Sequence, residues 1–123
     1  MPLKESTSYV PDELIVGAYP VMTSGAVIGT AADLTRGAVL GRITASGKYI
    51  LSLSAANDGS QIPAAILLTN AAAASADAEG LILLSGEVDA ARLNFGTGHT
   101  AATVEAAFRA AGRPLFLRNV NPA

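Results

Sequence analysis

Residues 34–43 read LTRGAVLGRI, with SGKY at 46–49 and NDGS at 57–60 soon after. Short apolar pieces alternate with glycines in this stretch, and the two later segments are turn signals, since Asn, Asp and Gly tolerate the left-handed backbone conformation. Leu51 and Leu53 alternate with serines, which is typical of a half-buried strand. The stretch therefore predicts short strands joined by tight turns, and it holds no metal, phosphate or nucleophile motif.

The rest of the chain adds further strands. We expect a buried strand over residues 62–68 and another over 81–84, with Gly86 as a bulge. The alanine-rich run 71–78 predicts a loop with at most one helical turn, because no large apolar residue marks a buried face. A final strand is expected at 115–117.

One helix is predicted near the C-terminus. Thr100 can cap it, and Gly112 ends it. Glu105 and Arg109 form an i,i+4 pair on its surface. Its apolar face consists of Val104, Ala107, Phe108 and Ala111. Together these elements predict an α+β, mainly β fold: a small, compact, partly open and barrel-like β-rich domain with one C-terminal helix.

The first twenty residues differ from the rest in composition. They hold half of the six prolines and the polar run KESTS at 4–8, so they bury too little apolar surface to fold alone. We predict an extended N-terminal arm over residues 1–20 and a β-rich domain over 21–123. A frayed terminus is the alternative interpretation.

Composition narrows the class of protein. At 123 residues the chain is long enough for one domain, but alanine supplies 25 of its residues and buries little area, so the domain can depend on oligomerisation for stability. The net charge of −2, with scattered cations, argues against a nucleic-acid partner. The lack of cysteine excludes thiolate metal sites and a cysteine nucleophile. The N-terminus shows no secretory signal, and no uninterrupted apolar segment is long enough to span a bilayer.

Three titratable residues are the candidates for catalysis. His99, the one histidine of the chain, precedes the helix, where it could be a general base or a metal ligand. It has no second histidine to share a metal, and a loop or pre-cap position is the favoured interpretation. Glu87 and Asp89 lie on one face of a predicted strand, where paired carboxylates can do acid–base or calcium chemistry but more often form a solvated face. Neither arrangement completes a site, so we predict no catalytic residue, no metal and no cofactor.

The order and spacing of the glycine-punctuated strands resemble the head decoration proteins of lambda-like tailed phages. The resemblance covers residues 18–118. Ala65 and Ser85 depart from the pattern of that family, both at structural positions. The matching pieces are Leu34-x-x-Gly37-x-Val39-Leu40-Gly41-x-Ile43, Gly47-Lys48-Tyr49, Asp58-Gly59-Ser60, Ile66-Leu67, Gly86-Glu87-Val88 and Leu93-Asn94-Phe95-Gly96.

The resemblance implies a homotrimer seated on threefold positions of an expanded icosahedral shell. In such proteins the N-terminal arm reaches the major capsid protein, which is the expected partner besides the chain itself. An extended arm can add a strand to an exposed sheet edge. The side chains that we expect to anchor it are those of Tyr9, Val10, Leu14, Ile15 and Val16. The expected location is the outer surface of the virion capsid, after assembly in the host cytoplasm.

The hypothesis from sequence is thus a non-enzymatic decoration protein that stabilises the expanded head against the pressure of packaged DNA, with neither nucleic acid nor membrane as a partner. The alternative is a small β-barrel enzyme or ligand-binding domain that uses His99 with Glu87 or Asp89. A pocket that holds these groups together would favour the alternative. A third hypothesis is a different virion part, such as a tail or fibre module, which should lack the capsid-binding arm.

Overall fold

The computed structural model describes residues 14–17 and 19–118, and this part of the chain forms nine strands and one α-helix. The predicted arm residues Tyr9 and Val10 lie outside the described residues. A short 3₁₀ helix spans Ala90–Arg92, and α1 spans Ala101–Ala110. In chain order the strands are β1 (Ile15–Val16), β2 (Met22–Ile28), β3 (Asp33–Leu34), β4 (Val39–Arg42), β5 (Tyr49–Leu51), β6 (Pro63–Leu67), β7 (Ala71–Ala72), β8 (Ala78–Asp89) and β9 (Leu115–Arg118).

Five strands form a small, partly closed barrel in the order β2-β5-β4-β6-β8, and β8 pairs again with β2. The first part of β8, from Ala78 to Ser85, runs antiparallel to β2. Within the described residues β2 meets β5 at one parallel pair, Ile28 with Tyr49, so the barrel closes over a short length there. β3 and β7 form a separate two-stranded sheet.

The last part of β8 carries the two terminal strands. β1 pairs with it antiparallel, Ile15 opposite Val88, and β9 pairs with it in parallel, Leu115 opposite Gly86. Gly86 has a φ of 141°, which other residues rarely adopt, and it lies where β8 exchanges one set of partners for the other. The register irregularity falls at Leu84, two residues before the predicted bulge.

Strand β6, residues 39–41 of β4 and the part of β8 from Ile82 onward are buried on both faces, whereas Glu79 and Leu81 of β8 are exposed. One face lines the barrel interior, where Leu40 and Leu67 pack. The other face is covered by α1, and there Ile66 packs in one cluster with Val104 and Phe108. Because both faces are buried, these strands read as continuous apolar runs instead of alternating ones.

The predicted fold class is confirmed, and so are the cap, the end and the two large apolar residues of the helix, whereas Ala111 of its predicted apolar face lies exposed just after α1. Thr100 is the N-cap of α1 and its side chain accepts a hydrogen bond from the Thr103 amide, while the Thr103 side chain accepts one from the Thr100 amide. Val104 and Phe108 are fully buried. Gly112 follows the helix with a φ of 69°.

Two local predictions are wrong. β5 ends at Leu51, after which Ser52 is buried and Leu53 is exposed, the reverse of the expected alternation. The reason is that the Ser52 hydroxyl donates an internal hydrogen bond to the Ser60 carbonyl, 2.7 Å away. The alanine-rich run is also not a loop throughout, because residues 71–72 form β7 against β3, and the described chain has no helical turn there.

Candidate functional site

Three of the five predicted capsid-binding residues lie in or beside β1. Leu14 is 1% exposed and packs in the cluster beneath α1, and its carbonyl accepts a hydrogen bond from the Asp89 amide at 2.8 Å. Ile15 and Val16 are half-buried and pair with β8. This part of the predicted arm is therefore attached to the domain's own sheet. Capsid contact by the five residues stays a prediction.

Glu87 organises the chain between β1 and β2. Its carboxylate forms an ion pair with Arg118 and accepts a hydrogen bond from the Tyr19 amide at 3.0 Å. A Cβ at Gly17 would lie 2.5 Å from the Glu87 carboxylate, and Gly17 has a φ of 72°, so a glycine is required there. The ring of Tyr19 meets Phe116 edge to face, with centroids 5.0 Å apart. Glu87 thus holds the chain where it enters β2.

Asp89 has a separate structural task. It is buried, and its carboxylate accepts a hydrogen bond from the Ala91 amide at 3.0 Å, which caps the 3₁₀ helix. Arg92 lies 4.0 Å from the same carboxylate. The contacts of the Asp89 carboxylate with Ala91 and Arg92 thus stabilise the turn that follows β8.

His99 lies at the centre of a polar cluster between α1 and the two ends of the connection that joins β5 to β6, residues 52–62. Its Nε2 lies 3.0 Å from the carbonyl oxygen of Gln61 and 3.3 Å from Oγ of Ser52. A carbonyl only accepts hydrogen bonds, so Nε2 carries a hydrogen and donates it to Gln61. On the other side of the ring, Nδ1 lies 3.1 Å from Oγ1 of Thr103. The imidazole therefore ties both ends of the connection between β5 and β6 to the start of the helix.

The structure does not bring the three catalytic candidates together. The ring of His99 contacts the β5–β6 connection and α1, the Glu87 carboxylate contacts the chain before β2 and Arg118, and the Asp89 carboxylate contacts the 3₁₀ helix. Ser52, the hydroxyl nearest to His99, is fully buried and already donates to a carbonyl. A depression of about 340 Å³ is lined by none of the three candidates, but by Gly25, Ala26, Val27, Glu79 and Gly80.

Residues 14–17 and 19–118 contain no group of three His, Asp or Glu side chains placed to hold a metal ion. The same residues contain no helix with the length and apolar character needed to cross a membrane.

Two exposed carboxylates, those of Asp58 and Asp77, have a lowered pKa in the folded chain. The Lys48 ammonium, 2.5 Å from Asp77, together with hydrogen bonds from Thr30, lowers the pKa of Asp77 to about 2. The hydroxyl and amide of Ser60 both donate to Asp58, which lowers the pKa of that carboxyl below its usual value. Asp58 stabilises its own turn, as the sequence predicts. Asp77, directly before β8, pairs with Lys48, directly before β5, and so links the starts of these two strands.

Two exposed apolar surfaces were not predicted from the sequence. On β2 and β8, Val27 is 42% and Leu81 is 38% exposed. In the loops around His99, Leu53 is 39% and Ile62 is 51% exposed. The apolar runs containing these residues indicate burial, so sequence periodicity gives no signal for their exposure. Gly25, in the middle of β2 and outside any turn, is the one sequence signal that could have identified the first surface.

A comparison with family models gives a match over most of the chain. The model for bacteriophage lambda head decoration protein D matches residues 4–113. These residues include every element from β1 to α1 and most of the predicted arm. A search of curated proteins returned no match. The family resemblance inferred from the glycine-punctuated strands is confirmed.

Proposed function

Since the chain belongs to the bacteriophage lambda head decoration protein D family, we propose that it binds the outside of the expanded head as homotrimers and stabilises the shell against the pressure of packaged DNA. Membership in the family makes it a phage head decoration protein of the virion capsid. The observation that carries the proposal is the family match over residues 4–113.

The internal use of the candidate catalytic groups supports a role in binding. His99, Glu87 and Asp89 each hold a turn, a loop or a strand connection. A protein that reinforces a shell needs interface area and a rigid body, because its work is to resist the separation of neighbouring subunits. The two-sided burial of β6 and of the central parts of β4 and β8 provides such a body.

We propose that the arm, residues 1–20, contacts the major capsid protein and that residues 21–123 form the decoration domain. In this account Tyr9 and Val10 supply apolar contacts on the shell, Ile15 and Val16 extend them, and Leu14 holds the base of the arm. β1 pairs with β8, the strand with the most partners in the sheet, so tension on the arm passes directly into the barrel. Three arms on one trimer give avidity that a single arm lacks.

Deletion of residues 2–10 tests the role of the arm. The deletion stops before Leu14, because removing that residue would open a cavity in the core. We expect the shortened protein to keep its melting temperature and its oligomeric state and to lose binding to heads that lack decoration protein. A control chain that keeps the length but carries a Gly/Ser sequence at 2–10 should lose binding equally. Full binding by either variant would contradict the proposed contact.

The proposed resistance to DNA pressure is tested with DNA-filled heads that lack decoration protein. Heads are heated with and without added protein, and DNA release is followed with a dye that does not enter intact shells. We expect added protein to raise the release temperature and the deletion variant to leave it unchanged. Equal release temperatures with saturating wild-type protein would contradict a stabilising function.

A further inference from the structure

Strand β2 is paired along one side only over most of its length. All seven of its residues pair with β8, whereas on its other side the described chain supplies one pair, Ile28 with Tyr49. Residues 22–25 are all exposed, although successive side chains of a strand point to opposite faces. The side of β2 away from β8, from residue 22 to residue 27, is therefore an open sheet edge about 20 Å long within the described residues. We call it the β2 edge.

The hydrogen bonds of Leu81 show which main-chain groups face this edge. The Leu81 carbonyl accepts a hydrogen bond from the Leu68 amide at 2.8 Å, and the Leu81 amide donates to Oγ1 of Thr69 at 3.2 Å, so its main chain faces away from β2. Gly25 lies opposite Leu81, and in an antiparallel pair opposite residues exchange two hydrogen bonds or none. The amide and carbonyl of Gly25 therefore point out at the β2 edge, and the alternation of the ladder directs those of Thr23 the same way.

The chemistry of this edge selects the kind of molecule that can cover it. Within the described residues the Gly25 amide has no hydrogen-bond partner, and the Gly25 carbonyl accepts a hydrogen bond only from the hydroxyl of the adjacent Ser24, at 3.2 Å. A row of outward amides and carbonyls is matched by another polypeptide in extended conformation, because its main chain presents donors and acceptors at the same spacing. The fitting occupant is therefore an added strand.

The β2 edge lacks two common protections against such pairing. Natural edge strands often carry charged side chains or prolines, which keep other chains away. Residues 21–28 read VMTSGAVI and contain neither. The described fold also does not require the glycine at Gly25, since its φ lies outside the left-handed region and no described atom lies within 4 Å of a Cβ built on it. A glycine inside a strand often marks the close approach of another backbone.

The position of β1 indicates which polypeptide lies at the β2 edge. β1 and β2 both run antiparallel to β8, and residues 17–21 alone join them. Parallel strands on opposite sides of a third strand need a crossover of about a dozen residues or more, so β1 and β2 lie in line along one side of β8. The β2 edge thus continues the line of β1, which belongs to the proposed arm. A partner that contacts the arm at β1 also lies next to the β2 edge.

We propose that the β2 edge receives an extended segment of the major capsid protein, which pairs with residues 22–27 through main-chain hydrogen bonds. The inference rests on the proposed function and adds a second contact to that of the arm. Val27 and Leu81 share one face of the sheet with Gly25 and are exposed. A large apolar side chain of the added strand, placed opposite Gly25, can therefore lie over the space that the glycine leaves.

Hydrogen–deuterium exchange of the wild-type protein tests the contact directly. In the free protein the amides of Thr23 and Gly25 should exchange fast, whereas those of Ser24 and Ala26, which the ladder directs at β8, should exchange slowly. On decorated expanded heads we expect exchange at Thr23 and Gly25 to slow about tenfold or more. Mass spectrometry with fragmentation to single residues measures both states.

Gly25→Pro and Gly25→Ala form a matched pair of variants. Both add a Cβ where the described chain leaves space, but only proline removes the outward N–H. Proline is tolerated on an edge strand where the N–H faces solvent, so we expect both variants to fold, which their melting temperatures check. In cosedimentation with expanded heads, Gly25→Pro should raise the dissociation constant about tenfold or more, and Gly25→Ala should change it by less than about twofold.

The possible results separate this contact from the proposed function. Wild-type protein that binds heads without slower exchange at Gly25 would overturn the contact and leave the function intact. Slow exchange already present in the free protein and lost on dilution would also overturn it, because a second copy would then cover the edge. Equal binding by the proline and alanine variants would contradict main-chain pairing. If the wild type does not bind heads at all, the function and the inference that rests on it both fail.

Discussion

At the scale of single residues, the polar groups that could have formed a catalytic site instead hold loops in place. His99 is the clearest example, because both ring nitrogens contact groups on other segments: Nε2 meets Gln61 and Ser52, and Nδ1 meets Thr103. The imidazole therefore holds the β5–β6 connection against the start of α1, and both of its nitrogens are directed at groups of the protein itself.

If His99 has a structural role, its substitution should lower the stability of the domain and leave binding to heads unchanged. His99→Ala should lower the free energy of unfolding by about 1–2 kcal/mol, because hydrogen bonds to partly buried groups are lost. Urea denaturation at fixed protein concentration measures this, with the neighbouring exposed Thr97→Ala as the control. Binding to heads should be unchanged. Wild-type stability together with lost binding would instead assign His99 to a functional contact.

The ion pair of Asp77 and Lys48 makes a prediction about pH. The pKa of Asp77 is lowered in the folded chain, so the pair contributes stability above pH about 4, and that contribution is lost as the pH falls towards 2. Lys48→Met should move the pKa of Asp77 back towards its usual value. Carboxyl carbon chemical shifts, titrated by NMR, report the pKa directly.

Asp58 is the internal control for that titration. Its pKa is lowered by Ser60 and not by Lys48, so Lys48→Met should leave it unchanged. A pKa of Asp77 that stays near 2 in the variant would show that the hydrogen bonds from Thr30, and not the charge of Lys48, are the main cause of the lowered pKa.

At the scale of elements, β1 is the short strand with the largest expected effect on stability. It has two residues, yet Leu14, directly before it, fills the core beneath α1. Leu14→Ala should lower the free energy of unfolding by about 2–4 kcal/mol, because it leaves a cavity in a packed cluster. The half-buried Val16, substituted by alanine, should cost clearly less. Equal, small effects of both substitutions, measured by urea denaturation, would contradict the attachment of the arm through β1.

The elements also show what the sequence could predict. Helix α1 is predicted almost residue by residue, because its cap at Thr100 and its apolar face at Val104 and Phe108 depend on neighbours within a few positions. The exposure of Leu53 was not predictable in this way. It depends on a hydrogen bond from Ser52 to a residue eight positions away, which pulls the serine inward.

Strand pairing was the least predictable feature of the fold. The sequence predicts a strand at 81–84 that continues past a bulge at Gly86 to Glu87 and Asp89. β8 starts earlier, at Ala78, because β2 supports its first residues. Contacts between strands distant in sequence decide these lengths. The exposure of Val27 could not be predicted for the same reason. It follows from which strands pair with β2 within the described residues, and those strands are distant in sequence.

At the scale of the whole molecule, the family could be predicted from the order of glycines and apolar pieces, because these fix the turns and short strands. The binding surfaces could not, since no single chain shows what covers them. The domain holds the chain before β2 through β1, and it exposes apolar side chains at Val27 and Leu81 and at Leu53 and Ile62.

Cosedimentation of the purified protein with expanded heads that lack it, at rising protein concentration, tests whether the protein decorates the shell. Three copies at each threefold position amount to about one copy per shell subunit, so the account predicts saturable binding near that ratio. Unexpanded shells serve as the comparison and should bind less. The absence of saturable binding to expanded heads, by a protein shown to be folded by circular dichroism, would contradict the account.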